Sequence, residues 1–313
     1  MFDKLQLLRR GRMRFRFEPS AEHRVEIFER PADELSSADL AKLIESCRAV
    51  ARSCLGGRDL DYGLFDEGGD ALRRSVITLV TRVADNKPVA FNAMPILQVR
   101  EGGQDRQLVH LGLVMVDPDE RSGGLSWILY GLTCFAMFVR GRMRPLWVSS
   151  VTQVPAVVGM VADTFSNVFP GQEGTGQSFA HRHFAHQIMQ SHRDAFGVGP
   201  DAGFVLERQV ITDAYTGGSD NLKKSFAVAA KHRDDSYNDF CQRELDYERG
   251  DDVLQIGVID LAAGQRFLMR SVPRHALPRL LVRAAVLLTA AIVSPLLQWL
   301  DSSTPLDRLR PAR

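Results

Sequence analysis

Cysteine is scarce in this chain and carries no pattern. Four occur in 313 residues, Cys47, Cys54, Cys134 and Cys241, with no CxxC pair and no metal-like spacing. A disulfide framework and a zinc knuckle are therefore not expected, and a reducing compartment is the simplest setting. Net charge is equally thin: 39 basic against 38 acidic residues leave +1. No basic stripe interleaved with aromatics crosses the centre, so nucleic acid is not an expected partner. The chain also lacks an apolar signal-peptide core, an internal repeat, the GxSxG of a serine hydrolase, a Walker A loop and a GxGxxG dinucleotide loop.

What stands out instead is Val109-His110-Leu111-Gly112-Leu113-Val114-Met115-Val116, followed by Asp117-Pro118-Asp119-Glu120-Arg121-Ser122-Gly123-Gly124-Leu125-Ser126. A hydrophobic strand feeds a glycine-rich loop, and Leu125 to Arg140 reads as an apolar helix carrying Trp127, Ile128, Leu132, Phe135 and Phe138. That order builds an anion site, because glycine lets backbone N–H groups approach closely and the helix N-terminus adds its donors and dipole. Phosphate or pyrophosphate is the natural occupant.

The flanks read in a consistent order. Val25 to Phe28 is a short strand, and Ser37 to Cys54 is an amphipathic helix with Leu40, Leu43, Ile44, Cys47 and Val50 on one face. Ser36 or Ser37 caps it, and Gly56-Gly57 stops it. Val76 to Val83 and Val89 to Val99 form a hairpin about Asp85-Asn86-Lys87-Pro88, and Gly102-Gly103 turns into the strand of Leu108. After the loop helix come a strand from Leu146 and a helix from Pro155 to Phe165.

Arg121 to Ser126 resembles the Arg/Gln-x-x-Gly-x-Gly/Ala loop of the GCN5-related N-acetyltransferase (GNAT) superfamily. Val114-Met115-Val116, Pro118 and Arg121 fall where that family has its Val-x-Val run, proline and arginine; Ser126 stands where the family prefers Gly or Ala. The resemblance covers residues 20 to 215. It implies an α/β (α+β) fold with a GNAT-type mixed, splayed central sheet flanked by helices, an enlarged C-terminal half and an apolar C-terminal helix. Thr152-Gln153-Val154-Pro155 with Phe169-Pro170 resembles a Thr-Gln-Asn-Pro pattern of some larger GNAT-like proteins, with Val154 replacing the Asn. The family's frequent tyrosine acid has no counterpart; Phe165 lies near its place.

Both ends are amphiphilic. Lys4, Arg9, Arg10, Arg12, Arg14 and Arg16 alternate with apolar residues in the first seventeen positions, which suits an anionic membrane face or a strand with solvated arginines. Ala284 to Leu300 is a run of 17 residues without charge, preceded by Arg274, Arg279 and Arg283. Pro295 and Gln298 weaken a span, so a helix lying in the cytoplasmic leaflet is the leading reading, with a docked helix or dimer interface as the alternative. Residues 1–20 thus read as a basic amphiphilic segment, 21–265 as an enlarged acyltransferase domain, and 266–313 as a membrane-associated or docking helix and tail. The protein is expected to be cytoplasmic, peripheral or monotopic at the inner face of the cytoplasmic membrane, with a homodimer open.

The resemblance implies acyl-CoA, or an acyl carrier protein thioester, as donor and no metal. Backbone amides of Arg121, Ser122, Gly123, Gly124, Leu125 and Ser126 would hold the pyrophosphate, with the Arg121 side chain adding a charge-assisted bond. Backbone groups around Val114 and Val116 would hold the pantetheine like an added strand. An amine would attack the thioester directly, helped by a base. His110 is the leading base and Ser149 and Thr152 the groups for the leaving thiol or substrate, while Asp117 and Glu120 are weaker options for the base and otherwise shape the loop. His181, His183, His186 and His192 belong to an expected solvated helix from Ala180 to Phe196, and Tyr237 to Tyr247 reads as a surface helix. The amphiphilic ends point to a lipid amine as acceptor, either a sphingoid base or an amino-acid lipid head group; the sphingoid base is what a resemblance to a bacterial ceramide synthase-like lipid N-acyltransferase branch implies. A small-amine acetyltransferase and a degenerate GNAT-fold scaffold remain as alternatives.

Overall fold

Alternating apolar residues build the sheet of this protein, seen in a computed structural model that describes residues 13–58, 70–120, 124–125, 127–171, 174–217 and 222–300. In chain order the elements begin β1 (Arg14–Phe17), β2 (His23–Glu29), α1 (Pro31–Glu34), α2 (Ser37–Cys54), α3 (Asp70–Arg73), β3 (Ser75–Arg82), β4 (Pro88–Glu101), β5 (Gln104–Leu111) and β6 (Leu113–Val116). A π-helical turn, Trp127–Leu132, then runs into α4 (Thr133–Arg140), followed by β7 (Leu146–Thr152), α5 (Pro155–Thr164), β8 (Ser166–Phe169) and α6 (Phe179–Ser191). The chain continues through β9 (Gly203–Val205), β10 (Val210–Thr212), α7 (Asp235–Glu244), β11 (Asp252–Ile259), α8 (Leu261–Arg266) and α9 (Leu277–Leu300).

The strands form one mixed sheet in the order β1-β2-β3-β4-β5-β7-β11-β10-β9, with β6 beside β4 and β8 beside β11. β5 and β7 pair in parallel, whereas the neighbouring ladders β4–β5 and β7–β11 are antiparallel. Side chains sort by the two-residue period. Val76 and Val80 of β3, Val109 and Leu111 of β5 and Val253 of β11 point to the face covered by α4, α5 and α9. Ile77, Leu79 and Phe91 point the other way, onto Leu43, Cys47 and Val50 of α2. On that second side Leu108, Leu254 and Ile256 meet Phe184 and Ile188 of α6.

The α2 expectation matches in extent, and Ser36 Oγ accepts from the Asp39 amide at 3.2 Å as its cap. Several other expectations change. The run Val109 to Val116 is two strands broken at Gly112, not one. The helix expected to reach Phe196 stops at Ser191 and gives way to a 3₁₀ turn, Arg193–Phe196. α7 is not a plain surface helix, because Tyr237, Asn238 and Cys241 are buried. The described part of the basic N-terminal segment is an edge strand: Met13, Phe15 and Phe17 enter the core while Arg14 and Arg16 face out. β8 to β11 were not anticipated at all.

The C-terminal helix is docked on the core along one side. Leu280 of α9 is buried, and Leu277, Ala284, Leu287 and Leu288 pack on the core. Leu281, Val282, Val286 and Ile292 are exposed on the other side. Among the described residues no helix is long and apolar enough to cross a membrane.

Candidate functional site

The site is laid out by one glycine. β5 pairs with β7 from Leu108↔Trp147 to Leu111↔Ser150, and then the chain turns away. β6 instead pairs with the first half of β4, Leu113↔Ala93 to Val116↔Ala90. A Cβ at position 112 would sit 2.2 Å from Ala93 O and 2.9 Å from Pro95 Cδ, so no other residue fits this kink. The Asp117 amide donates to Val89 O at 2.8 Å, which sets the phase of the antiparallel ladder. In that phase the amides and carbonyls of Val114 and Val116 point away from β4, along an edge that β7 does not occupy. The Cys54 thiol reaches that edge and donates to Val116 O at 3.1 Å.

The turn after β6 is held by ion pairs. Asp117 accepts from Lys87 Nζ at 2.8 Å and from the Asp119 amide at 3.1 Å, and the Lys87 ammonium holds its carboxyl below the ordinary range. Glu120 bridges Arg82 (3.1 Å) and His23 (3.2 Å). Both carboxylates are committed to shaping the loop. Arg121, Ser122, Gly123 and Ser126 lie outside the described residues. Gly124 has φ +66°, and the space where a Cβ would project is open. Leu125 O receives the Ile128 and Leu129 amides at 3.0 and 3.1 Å, so the helical segment toward α4 starts at this point.

His110 and Ser149 are cross-strand neighbours whose side chains meet, Nδ1 to Oγ, at 2.9 Å. Both are 1% exposed, and the imidazole stacks on Phe196 with centroids 4.7 Å apart. Burial pushes the imidazole down to about 3, so at neutral pH it is an uncharged ring and a much weaker base than free histidine. Thr152 Oγ1 accepts from the Val154 amide at 3.0 Å and shapes the turn into α5.

A second polar cluster lies on the same side of the sheet and has no signature in short motifs. Asp252 opens β11 next to Val253, which pairs with Thr152 at the carboxyl end of β7. Tyr215 donates its hydroxyl to Asp252 at 3.0 Å and is also hydrogen-bonded to the buried Gln153 side chain. Tyr247 donates to Gln153 O at 2.7 Å. Burial raises the Asp252 carboxyl to about 7. The one sequence clue is an acidic pair, Asp251-Asp252, abutting the apolar run from Val253 to Ile259.

His181 and His183 of α6, and His192 just after it, are structural. His181 is fully buried, receives the Ser178 amide on Nδ1 at 3.0 Å and donates from Nε2 to Asn167 O at 2.8 Å. His183 and His192 donate to Arg100 O and Gln98 O, pinning α6 and the turn after it to β4. Among the described residues no group of three or more His, Cys, Asp or Glu is placed to hold a metal.

No family model and no curated protein matches this chain. Two solved structures overlap it locally: a single-substitution mutant and a tetramutant of the BH1408 protein from Bacillus halodurans. Each is 15% identical, with TM-scores of 0.20 and 0.21, over 34% and 38% of this chain and 70% and 74% of theirs. An overlap of that quality carries no argument about fold or activity.

Proposed function

We propose that this protein is a membrane-associated N-acyltransferase of GNAT type that moves an acyl group from acyl-CoA or acyl carrier protein to the amine of a lipid such as a sphingoid base. The observation that carries this reading is the kink at Gly112, which frees the Val114–Val116 edge next to a loop that opens a helix. A pantetheine arm added along that edge finds the donors and acceptors of a strand, and the loop amides around Gly124 take the pyrophosphate. The amine nitrogen then attacks the thioester carbonyl. The C–S bond breaks, the thiolate leaves, and the proton lost by the amine passes to a base and on to the sulfur. Lipid residence is supported by exposed Leu281, Val282 and Val286 on α9, flanked by exposed Arg279 and Arg283.

The test is turnover of radiolabelled palmitoyl-CoA and acetyl-CoA by the full-length protein in mild detergent, offered sphingoid bases and a panel of small amines. Product from palmitoyl-CoA with a sphingoid base is expected, and loss of at least tenfold in both Arg121→Glu and Gly124→Trp. Product from acetyl-CoA alone would move the activity to small amines. Absence of product from a folded protein would leave the scaffold reading, which the sealed position of His110 favours.

The base is decided separately. Asp252 changes charge near neutrality, whereas His110 in this environment does not. The ratio of variant to wild-type kcat/KM, followed from pH 5 to 9, should bend near 7 for Asp252→Asn and stay flat for His110→Gln. A bend in the His110→Gln ratio alone would restore the base role to the imidazole.

A further inference from the structure

A polar cleft lies at the other end of β11 from Asp252, and nothing in the acyl-transfer scheme uses it. It encloses about 360 Å³ between the end of α5, β8 and α8, with Asp163, Ser166, Asn167, Thr175, Arg266 and Arg270 among its walls. Arg266 Nη2 donates to Ser166 Oγ at 2.9 Å and to Thr164 O at 3.4 Å. Its Nε is buried without a hydrogen-bond partner. Native proteins rarely leave a buried donor on a cation without a partner. Arg270, one turn on, is exposed and makes no described ion pair.

The acidic wall residue has partners of its own. Asp163 accepts from the Tyr237 hydroxyl at 3.1 Å and lies 3.8 Å from both His232 and Arg233. Asp260, below the cleft, is occupied by Ser166 Oγ and the Ala263 amide. Arg266, linked through Ser166 to Asp260, and the exposed Arg270 both line this polar cleft, and together they offer N–H donors to a tetrahedral oxyanion.

Leu261 and Met269, on the same helical segment as the two arginines, are 67% and 75% exposed. We infer that this cleft binds the phosphate of a phospholipid head group, with Leu261 and Met269 entering the acyl region beside it. The inference rests on the membrane-associated reading but not on acyl transfer. It turns a general surface attraction into one defined lipid site.

The test uses the full-length protein with two probes of identical head chemistry, dioctanoyl phosphatidic acid below its micelle concentration and glycerol 3-phosphate. Arginine side-chain ¹⁵N spectra report binding, and Arg270→Gln and Arg266→Lys are compared with wild type. The expected result is a shift of the Arg266 Nε–H resonance with the lipid, at least tenfold weaker binding in Arg270→Gln, and glycerol 3-phosphate weaker than lipid by a similar factor. Equal binding of the two probes would keep the oxyanion site and overturn its lipid source. Lipid binding unchanged in a folded Arg270→Gln, or no shift at all, would overturn the site. Flotation on phosphatidylcholine vesicles separates this from the membrane reading. Val282→Asp with Val286→Asp should abolish flotation, whereas Arg270→Gln should leave it intact.

Discussion

Gly112→Val is expected to lower stability by about 3 kcal/mol or more and to abolish acyl transfer together. The first atom of any side chain there would press 2.2 Å from Ala93 O, a backbone atom inside the β4–β6 ladder. Over-packing against backbone has no cheap rotamer escape. The strand must therefore leave β4 or push β4 out of register with β3, and either movement displaces the Val114–Val116 edge. Urea unfolding monitored by circular dichroism measures the loss, with Gly176→Ala as the matched control because nothing lies within 4 Å of a Cβ there. A Gly112→Val protein within about 1 kcal/mol of wild type and fully active would show that the kink positions nothing.

The second large effect is a pair of opposite pH dependences. His110 is depressed from 6.5 to about 3, so the folded state refuses a proton that the unfolded chain accepts. Its contribution is intact above pH 6.5 and is lost as pH falls toward 3. Asp252 is raised from 3.8 to about 7, so the folded state keeps a proton that the unfolded chain has released. Its contribution is intact below pH 3.8 and is lost as pH rises through 7. Each window spans about 3 pH units and is worth about 4 kcal/mol at most, so the two offset each other in the wild-type chain. Asp252→Asn should lose stability relative to wild type on going from pH 7 to 4, and His110→Gln should gain it over pH 6.5 to 4. Denaturant midpoints at a series of pH values read both slopes. Parallel curves for wild type and both variants would refute the opposed pair.

How much of this was legible in the chain differs between its halves. Up to β7 the signals are local: a cap at Ser36, alternation in β3 and β4, and turn residues at Asn86 and Gly102. Local chemistry decides those elements, so the order and most boundaries could be read directly. Even there Gly112 reads as one more small residue in a strand, because its necessity comes from Ala93 and Pro95 of β4, which crowd it from across the sheet. Past Thr164 the determinants are nonlocal. β8, β9 and β10 are three or four residues long, too short for periodicity to register. β11 is buried on both faces, which removes the alternation that marks a strand.

The candidate site divides the same way. The loop, the Val114–Val116 edge and the His110–Ser149 pair were all named from sequence, and register then placed the last two residues side by side. What could not be read was environment. Burial of His110, to which Phe196 contributes from 86 positions downstream, makes the imidazole weak. Only burial in the folded chain, against which the Tyr215 hydrogen bond works, gives the Asp252 carboxyl a neutral-pH transition. Charge state is a property of the packed site rather than of the residue type.

The β7–β11 ladder has a consequence for synthesis. Thr152 pairs with Val253, so one edge of β7 waits roughly a hundred positions for its partner to leave the ribosome. At about 5–20 residues per second that is a delay of seconds, during which Val148 and Val151 sit on an open edge. An unpaired strand edge is a template for another chain. The nascent protein is thus most exposed to aggregation after its loop and kink are formed and before residue 259 emerges, and holding chaperones would have their strongest claim on it in that interval.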